Sequence, residues 1–266
     1  MKFNYQETSS DLTKRINIHD QYGSRNIDEW MISLLNINPG IKILDVACGS
    51  GKQCVSYYNK LNGDVEIIGG DVSTELLEQA RKICQEKNYN IKFIDLDFNK
   101  PIQFADTRFD LLSCCFAIYY SEDIPFTISE MHRMLKKGGK LFVTGPMPEN
   151  KKIFYDVIKE ATDKPIPRMP GSSRYSTEIL GAIKKQFSQV ELQIFKNPLT
   201  FITAEPFIEY TRASLSEDRK LWSDFFHGKE DFEHIMSQIE GVAKKRLEED
   251  GKLVMTKVVG GILATK

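Results

Sequence analysis

The segment ILDVACGSGKQ, residues 43–53, constrains the fold more than any other part of the chain. It begins as an apolar strand and passes through Gly49 and Gly51 into a helical pattern. Such a turn points backbone N–H groups and the positive end of a helix toward a ligand. A second apolar run, VEIIGGD, ends at Asp71, where a carboxylate can accept hydrogen bonds from a ribose. The pattern therefore predicts a nucleoside site.

The loop lacks features that two other kinds of nucleotide site require. A dinucleotide fingerprint needs Gly or Ala three residues after its second glycine, where this chain has Cys54. A phosphate-binding loop needs glycine and Ser or Thr at the positions that Val46 and Gln53 occupy. Because Cys54 breaks the dinucleotide fingerprint, an NAD-dependent oxidoreductase is disfavoured.

What remains, the pattern Asp45-x-Ala47-x-Gly49-x-Gly51, resembles the first motif of the class I S-adenosylmethionine (SAM) dependent methyltransferases. Three further blocks follow in the order and spacing of that family: NIKFIDLDFNKPIQF (90–104), FDLLSCCFAIYY (109–120) and MHRMLKKGGKLFVTG (131–145). Within the family, the chain is similar to the small-molecule group that holds quinone-biosynthesis and natural-product methyltransferases.

The sequence departs from the family pattern at two positions. Ala47 stands where the motif has its first glycine, and Lys137 replaces the proline that usually precedes the Gly-Gly turn. Neither change removes a hydrogen-bond donor or a charge that the site needs. The resemblance therefore still implies cofactor binding.

The resemblance implies SAM as the cofactor and names the residues that hold it. The loop would pass the methionine end, Asp71 would bind the ribose hydroxyls, and Asp97 with Phe98 would flank the adenine. Tyr22 and Arg25 could close over the methionine end, with Arg25 pairing its carboxylate. The full expected binding set is Tyr22, Arg25, Asp45, Ala47, Cys48, Gly49, Gly51, Gln53, Asp71, Val72, Asp97, Phe98 and Cys115.

Methyl transfer from SAM is an in-line displacement, so the protein mainly aligns the acceptor with the methyl group. A base is needed only where the accepting atom must lose a proton. His19 is the candidate base, and Tyr119 and Tyr120, just beyond the fourth strand, are candidates for orienting the acceptor. Structural roles stay open for all three, and Arg25 could equally be an exposed arginine near a helix start.

Strands that alternate with amphipathic helices predict an α/β fold built from parallel βαβ units. The resemblance implies a Rossmann-like sheet of seven strands, mostly parallel with an antiparallel last strand, and helices on both faces. Apolar periodicity predicts helices over 26–36, 73–87, 122–136, 151–162 and 176–187, and a sixth strand over 189–195. The helix over 122–136 should end at Gly138-Gly139.

A single domain accounts for the 266 residues. We expect an N-terminal helical segment (1–40), a core (41–197), a helical cap (198–251) inserted between strands six and seven, and a final strand (252–266). Residues 15–30 should cross the carboxyl edge of the sheet before the first helix. The cap holds large aromatics that either line the substrate pocket or only pack the cap: Phe201, Phe207, Tyr210, Trp222, Phe225, Phe226 and Phe232.

Composition narrows the classes of function. A net charge of −1 gives no general attraction to polyanions, which disfavours a nucleic acid substrate. The five cysteines show no CxxC spacing, so we expect no metal site and no disulfide framework. No apolar run approaches the roughly 18 residues of a membrane span and the N-terminus lacks the core of a signal peptide, so we expect a cytoplasmic protein.

The sequence thus predicts a SAM-dependent methyltransferase that acts on an O, N or C atom of a small organic acceptor, as a monomer or homodimer. Two alternatives stay open: an RNA or protein methyltransferase on the same fold, and a SAM-binding protein without catalytic activity. Analogy at the level of the fold indicates the cofactor and leaves the acceptor unnamed.

Overall fold

The computed structural model describes residues 9–215, 222 and 225–266. Within that part of the chain the strands form one sheet: β1 (Ile41–Val46), β2 (Val65–Asp71), β3 (Ile91–Asp95), β4 (Phe109–Cys115), β5 (Leu135–Pro146), β6 (Gln189–Phe201) and β7 (Leu253–Thr265). Their order across the sheet is β3-β2-β1-β4-β5-β7-β6.

Helices cover both faces of this sheet and one of its edges. They are α1 (Ser9–Tyr22), α2 (Ile27–Ser33), α3 (Lys52–Lys60), α4 (Thr74–Glu86), α5 (Ile124–Met134), α6 (Lys152–Thr162), α7 (Pro170–Arg174), α8 (Leu180–Gln186), α9 (Glu205–Leu215) and α10 (Gly228–Asp250). A single turn of 3-10 helix follows β4, and a π-helical turn joins α7 to α8.

The sheet confirms the predicted fold class. Strands β1 to β5 pair in parallel, and β7 is antiparallel to both β5 and β6. From β1 the chain winds outward to β3 and then returns to β4 on the other side of β1. This reversal is a topological switch point, and ligands of open α/β sheets bind at the carboxyl ends of the strands there.

Side chains of β1 alternate between two apolar clusters because successive residues of a strand point to opposite faces. Leu44 and Val46 pack with α5 and α8, whereas Ile43 packs with the helices of the other face. All three are buried, as expected for a parallel strand covered on both sides. The burial holds the carboxyl end of β1, and the loop that follows it, in a fixed place.

Strands β6 and β7 extend beyond the rest of the sheet. They pair from Gln189 opposite Thr265 to Phe201 opposite Leu253, whereas β5 pairs with β7 only as far as Val259. Residues 196–201 and 253–258 therefore project past the carboxyl edge as a two-stranded ribbon. Helices α1, α6, α9 and α10 pack on this ribbon in a separate apolar cluster, which we call the cap cluster.

The predicted N-terminal crossing segment was wrong in part. Residues 15–22 belong to α1, so the helix predicted over 26–36 is the second one, and it ends earlier, at Ser33. Helix α1 is mostly polar, so its apolar pattern is weak. Its Ile18 is buried in the cap cluster, against residues that are distant in the sequence. Residues 1–8 of the predicted N-terminal segment lie outside the described residues, as do 216–221 and 223–224 of the predicted cap.

Two other predicted element ends were also wrong, and one predicted helix is interrupted. The sixth strand continues to Phe201 because Pro198 lies on an edge strand, where a missing N–H is tolerated. Helix α5 ends at Met134, because Leu135 is extended and begins β5; Gly138 then donates to the carbonyl of Lys266 at 2.9 Å. The helix predicted over 176–187 is interrupted by the π-helical turn.

Candidate active site

Residues 47–51 leave the carboxyl end of β1 as a tight loop. Ala47, Gly49 and Gly51 have positive φ angles of 56°, 54° and 76°. A residue other than glycine in this region costs about 1–2 kcal/mol, so the loop keeps a glycine-like conformation at Ala47 against that cost. The N–H of Gly51 donates to the carbonyl of Cys48 at 3.0 Å and closes the turn.

The loop leaves open space beside it, and the start of α3 presents a polar group without a protein partner among the described residues. A Cβ built on Gly49 would meet nothing nearer than a Leu76 methyl carbon at 3.9 Å, so the space beside it is open. Gly51 is the N-cap of α3 and has no side chain to cap its first N–H groups. Gln53 is buried, and its Nε2 has no hydrogen-bond partner within the described chain. Orphaned donors of this kind mark a place for a ligand or water.

Asp71, at the end of β2, connects this loop to the neighbouring strand. One carboxylate oxygen accepts from the N–H of Gly49 at 2.8 Å, and the other accepts from the N–H of Ser73 at 2.9 Å. The side chain is 8% exposed, and each carboxylate oxygen keeps a further lone pair. Asp71 is therefore fixed beside the loop and can still accept hydrogen bonds from a ligand.

The predicted adenine side is only partly assembled. Val72 is exposed over 64% of its surface, which is unusual for an apolar side chain next to a buried acid. Asp97 is partly exposed, accepts from the N–H of Asn99 at 3.0 Å and pairs with Lys100 at 3.1 Å. Phe98 instead packs in the core beneath the sheet edge. Val72 and Asp97 are thus accessible to a ligand, whereas Phe98 is buried.

Asp45 supports the loop from within the sheet. It is buried, accepts from Ser113 Oγ at 2.5 Å and from Cys54 Sγ at 3.4 Å. Burial raises the pKa of Asp45 to about 6 against the effect of these two hydrogen bonds, and the nearby Asp71 raises it further. Burial also raises the pKa of Cys115, at the end of β4, so this thiol stays protonated.

Cys48 completes the packing under the loop. Its N–H donates to the carbonyl of Gly70 at 3.0 Å, and its side chain is buried. A Cβ on Gly69 would lie 2.9 Å from Cys48 Sγ and 2.8 Å from Phe93. The absence of a side chain at Gly69, near the end of β2, is therefore what lets Cys48 pack against this strand.

Arg25 and Tyr22 lie by the cap and the outer strands. The guanidinium of Arg25 donates to the Lys196 carbonyl at 3.0 Å and lies 4.7 Å from the ring centroid of Phe195, both on β6. Three strands separate β6 from β1. Tyr22 packs on Phe201 with ring centroids 5.1 Å apart. The contacts of both predicted residues in the structure are thus with β6.

His19 lies on α1 among basic side chains. Its ring meets that of Tyr210 edge-on, with centroids 5.4 Å apart. Burial lowers the pKa of His19 to about 2, with Lys257, Lys151 and Arg15 lowering it further. The imidazole is therefore neutral and a very weak base in this arrangement.

Tyr119 and Tyr120 pack against each other beyond β4 with tilted rings, whose centroids are 4.7 Å apart. Tyr119 is buried in the core, and its ring lies close to Gly171 of α7. Phe116, earlier in the same loop, has a positive φ of 59° and lies under the Lys257 ammonium, which is 5.6 Å from its ring centroid. Sequence reasoning missed Phe116.

Two lysines near the cap were also missed. Lys151 precedes α6, and its Nζ lies 5.3 Å from the ring centroid of Tyr210. Burial raises the pKa of Tyr210, but Lys151, Arg15 and Lys257 outweigh it and lower the pKa below its ordinary value. We call His19, Lys151, Tyr210 and Lys257 the basic cluster. Lys257 interrupts the apolar run LVMTKVVGGILA, and a lysine within such a run could have indicated a functional residue. Nothing in the sequence marks Lys151 in the same way.

Comparison with known proteins assigns the family. Residues 37–194, more than half of the chain, match the family described as "Methyltransferase domain". The chain belongs to this methyltransferase family. It is 34% identical over 178 residues to the demethylmenaquinone methyltransferase of Chlorobaculum tepidum, a match that covers 61% of this chain and 70% of that one.

Solved structures share the fold of this methyltransferase. A putative methyltransferase from Bacillus halodurans has a TM-score of 0.58 and 20% identity, over 90% of this chain and 98% of that one. Phosphoethanolamine N-methyltransferase 2 from Haemonchus contortus, solved with phosphomonomethylethanolamine and S-adenosylhomocysteine, has a TM-score of 0.55 and 17% identity, over 97% of this chain and 57% of that one.

The methyltransferase uses SAM as its methyl donor, and the residues present fit that group. The open space beside Gly49, the orphaned amide of Gln53, the fixed carboxylate of Asp71 and the exposed face of Val72 lie along one edge.

In the described part of the chain, no helix is both long and apolar enough to cross a membrane. The same part shows no group of His, Cys, Asp and Glu side chains that could hold a metal ion.

Proposed function

We propose that this methyltransferase transfers the methyl group of SAM to an O, N or C atom of a small organic acceptor by in-line displacement. The observation that carries the proposal is the meeting of loop 47–51 and Asp71 at the carboxyl edge from which the capped ribbon projects. A cap over a ligand edge encloses a small acceptor and excludes water.

In the proposed donor site each residue group has a physical role. Asp71 accepts hydrogen bonds from the ribose hydroxyls, and Val72 with Asp97 faces the adenine. The open space beside Gly49 admits the methionine end, and Gln53 offers it a side-chain amide donor. Ala47, Cys48, Gly51, Asp45 and Cys115 shape and support the loop. Phe98, Tyr22 and Arg25 are left out because their side chains are held in the core, the cap and β6.

The chemistry requires little from the protein. The sulfonium of SAM supplies an activated methyl group when the donor is bound. The chain itself holds the acceptor atom in line and excludes water, and such positioning can supply roughly 7–11 kcal/mol of the barrier reduction. An acceptor atom that reacts without losing a proton needs no base. Where a proton must leave, the neutral His19 is poorly suited to take it.

The proposal is tested by following the methyl group into separate pools of acceptors. The protein is incubated with methyl-labelled SAM and, in parallel, with a small-metabolite extract, total RNA and total protein. We expect label in the small-molecule pool with an equal amount of S-adenosylhomocysteine. Label in RNA or in protein would contradict the acceptor class. No S-adenosylhomocysteine from any pool would indicate a SAM-binding protein without catalytic activity.

A further inference from the structure

The backbone fixes the two lysines of the basic cluster beside each other. The N–H of Lys151 donates to the carbonyl of Thr256 at 2.9 Å, and the N–H of Val258 donates to Asn150 Oδ1 at 2.9 Å. These two bonds flank Lys257 on β7. Lys151 also has a positive φ of 57°, a strained conformation for a residue other than glycine. The proximity of the lysines is therefore built into the fold.

The Tyr210 hydroxyl, which hydrogen-bonds with Lys151, offsets the charges of these lysines, and neither lysine has a carboxylate of its own among the described residues. Among the salt bridges of the described residues, none involves Lys151 or Lys257. The carboxylate that attracts Lys257, Asp28, already pairs with Lys52 at 2.7 Å. Burial lowers the pKa of Lys257 to about 8, although the residue keeps some accessible surface. Cations held together away from water are costly unless an anion joins them.

His19 adds a polar atom without a partner. Its Nδ1 is buried and makes no hydrogen bond within the described chain. Native proteins rarely leave such an atom unsatisfied, and clusters of perturbed titratable groups are concentrated at functional sites. Two ammonium groups without a carboxylate of their own, beside an orphaned imidazole nitrogen, have the donors that an oxyanion requires.

The cluster adjoins the proposed donor site through Phe116. Lys257 Nζ lies 5.6 Å from the centroid of this ring. Phe116 directly follows Cys115, the last residue of β4, and its N–H donates to the carbonyl of Thr144 at 3.0 Å. Strand β4 is next to β1, whose loop forms the donor site. A ligand held at Lys257 can therefore extend over Phe116 toward the methyl group.

We propose that the basic cluster binds an oxyanion of the methyl acceptor, a carboxylate or a phosphate, through Lys257, Lys151 and His19. The acceptor is then an organic acid or a phosphate ester whose anionic end lies under the cap and whose reacting atom faces the donor. This inference rests on the proposed function and adds the chemical class of the acceptor.

The test compares matched probes on the protein saturated with S-adenosylhomocysteine. Benzoate, its neutral counterpart benzamide and inorganic phosphate are titrated by calorimetry. We expect at least one anion to bind at least tenfold more tightly than benzamide, and the preferred anion separates a carboxylate from a phosphate. We also expect the pKa of His19, followed by NMR, to rise when that anion binds. A merely structural role for the cluster would not move this pKa.

Two matched substitutions complete the test. Lys257→Met keeps the length of the side chain and should weaken binding of the preferred anion at least tenfold, whereas Lys252→Met, on an exposed neighbour in the chain, should leave it unchanged. If Lys257→Met does not fold, Lys151→Met replaces it. The inference would be overturned if neither anion bound more tightly than benzamide. It would also be overturned if the lysine variant bound the preferred anion as tightly as the unmodified protein. The proposed function would still hold if the protein bound S-adenosylhomocysteine normally in these experiments. If the unmodified protein did not bind S-adenosylhomocysteine, the proposed function itself would be overturned.

Discussion

Asp71 shows how one side chain can prepare a binding site. Its carboxylate holds Gly49 of one segment and Ser73 of another, so the loop after β1 and the start of α4 keep a fixed distance. A donor site organised in this way loses little conformational entropy when its ligand binds. Both the acid and its position after a second apolar run could be predicted from the sequence.

We expect Asp71→Ala to weaken SAM binding at least tenfold, because a hydrogen bond to a charged group contributes roughly 1.5–3 kcal/mol. Calorimetric titration with SAM measures the change. Asp95→Ala is the matched control, since Asp95 is the register partner of Asp71 on β3 and is exposed. Equal affinities of the two variants would rule out the role of Asp71.

Asp45 should make stability depend on pH. Its folded pKa of about 6 lies above its ordinary value of 3.8, so its contribution to stability is present below pH 3.8 and is lost as the pH rises through 6. The charged form then costs up to about 3 kcal/mol. Relative to the unmodified protein, Asp45→Asn should gain about 2–3 kcal/mol in free energy of unfolding between pH 4 and pH 8. Urea unfolding at the two pH values measures it, and a constant difference would contradict the assignment.

Residue roles were predictable only where a local pattern marks them. The loop glycines and Asp71 belong to a motif, whereas Lys151, Phe116 and His19 take their surroundings from elements far apart in the sequence. Arg25 shows the same limit, because its partner Lys196 lies on a strand that no local signal connects to it.

At the level of the element, the loop after β1 depends on a backbone conformation as well as on open space. We expect Gly49→Val to abolish measurable SAM binding, since the side chain both strains the positive φ and enters the ligand space. Gly138→Val is the matched control, because Gly138 also has a positive φ and open space, but lies far from this edge. Thermal unfolding should show that the two variants lose a similar amount of stability. Calorimetry should show that only Gly49→Val loses SAM binding.

The cap aromatics serve mainly to hold the cap together. Phe207 is fully buried in the cap cluster, with its ring centroid 6.0 Å from that of Phe201. We expect Phe207→Ala to lower the free energy of unfolding by about 3–5 kcal/mol, the usual cost of removing a buried aromatic ring. Ile202→Ala, at a 79% exposed position, should change it little. A selective rise in acceptor KM with unchanged stability would instead make Phe207 a pocket residue.

Element type was predicted better than element length. Helix α4 and its Ser73 cap follow from apolar spacing and a capping signal, and the side chain of Ser73 accepts from the N–H of Leu76. The length of β6 could not be predicted, because residues 196–201 are held by strand partners at 253–258. Pairing between such distant segments overrides local signals such as Pro198.

For the whole molecule, the two proposed sites are carried by different parts of the fold. The proposed donor site lies on the loops after β1, β2 and β3, whereas the basic cluster is carried by α1, α9, β7 and the segment before α6. The mostly parallel sheet with its antiparallel last strand was predictable from the family resemblance. The way the ribbon raises the cap above the carboxyl edge was not, since it depends on register between the last two strands of the sheet.

The donor is proposed to bind at the carboxyl ends of β1 and β2, beside Asp71. Hydrogen exchange of the whole protein, with and without S-adenosylhomocysteine, tests this position because slowed amides report where a ligand orders the chain. We expect slower exchange in peptides that cover residues 47–53 and 71–76, with no change at residues 135–140. Protection confined to other segments, or none at a saturating ligand concentration, would contradict it.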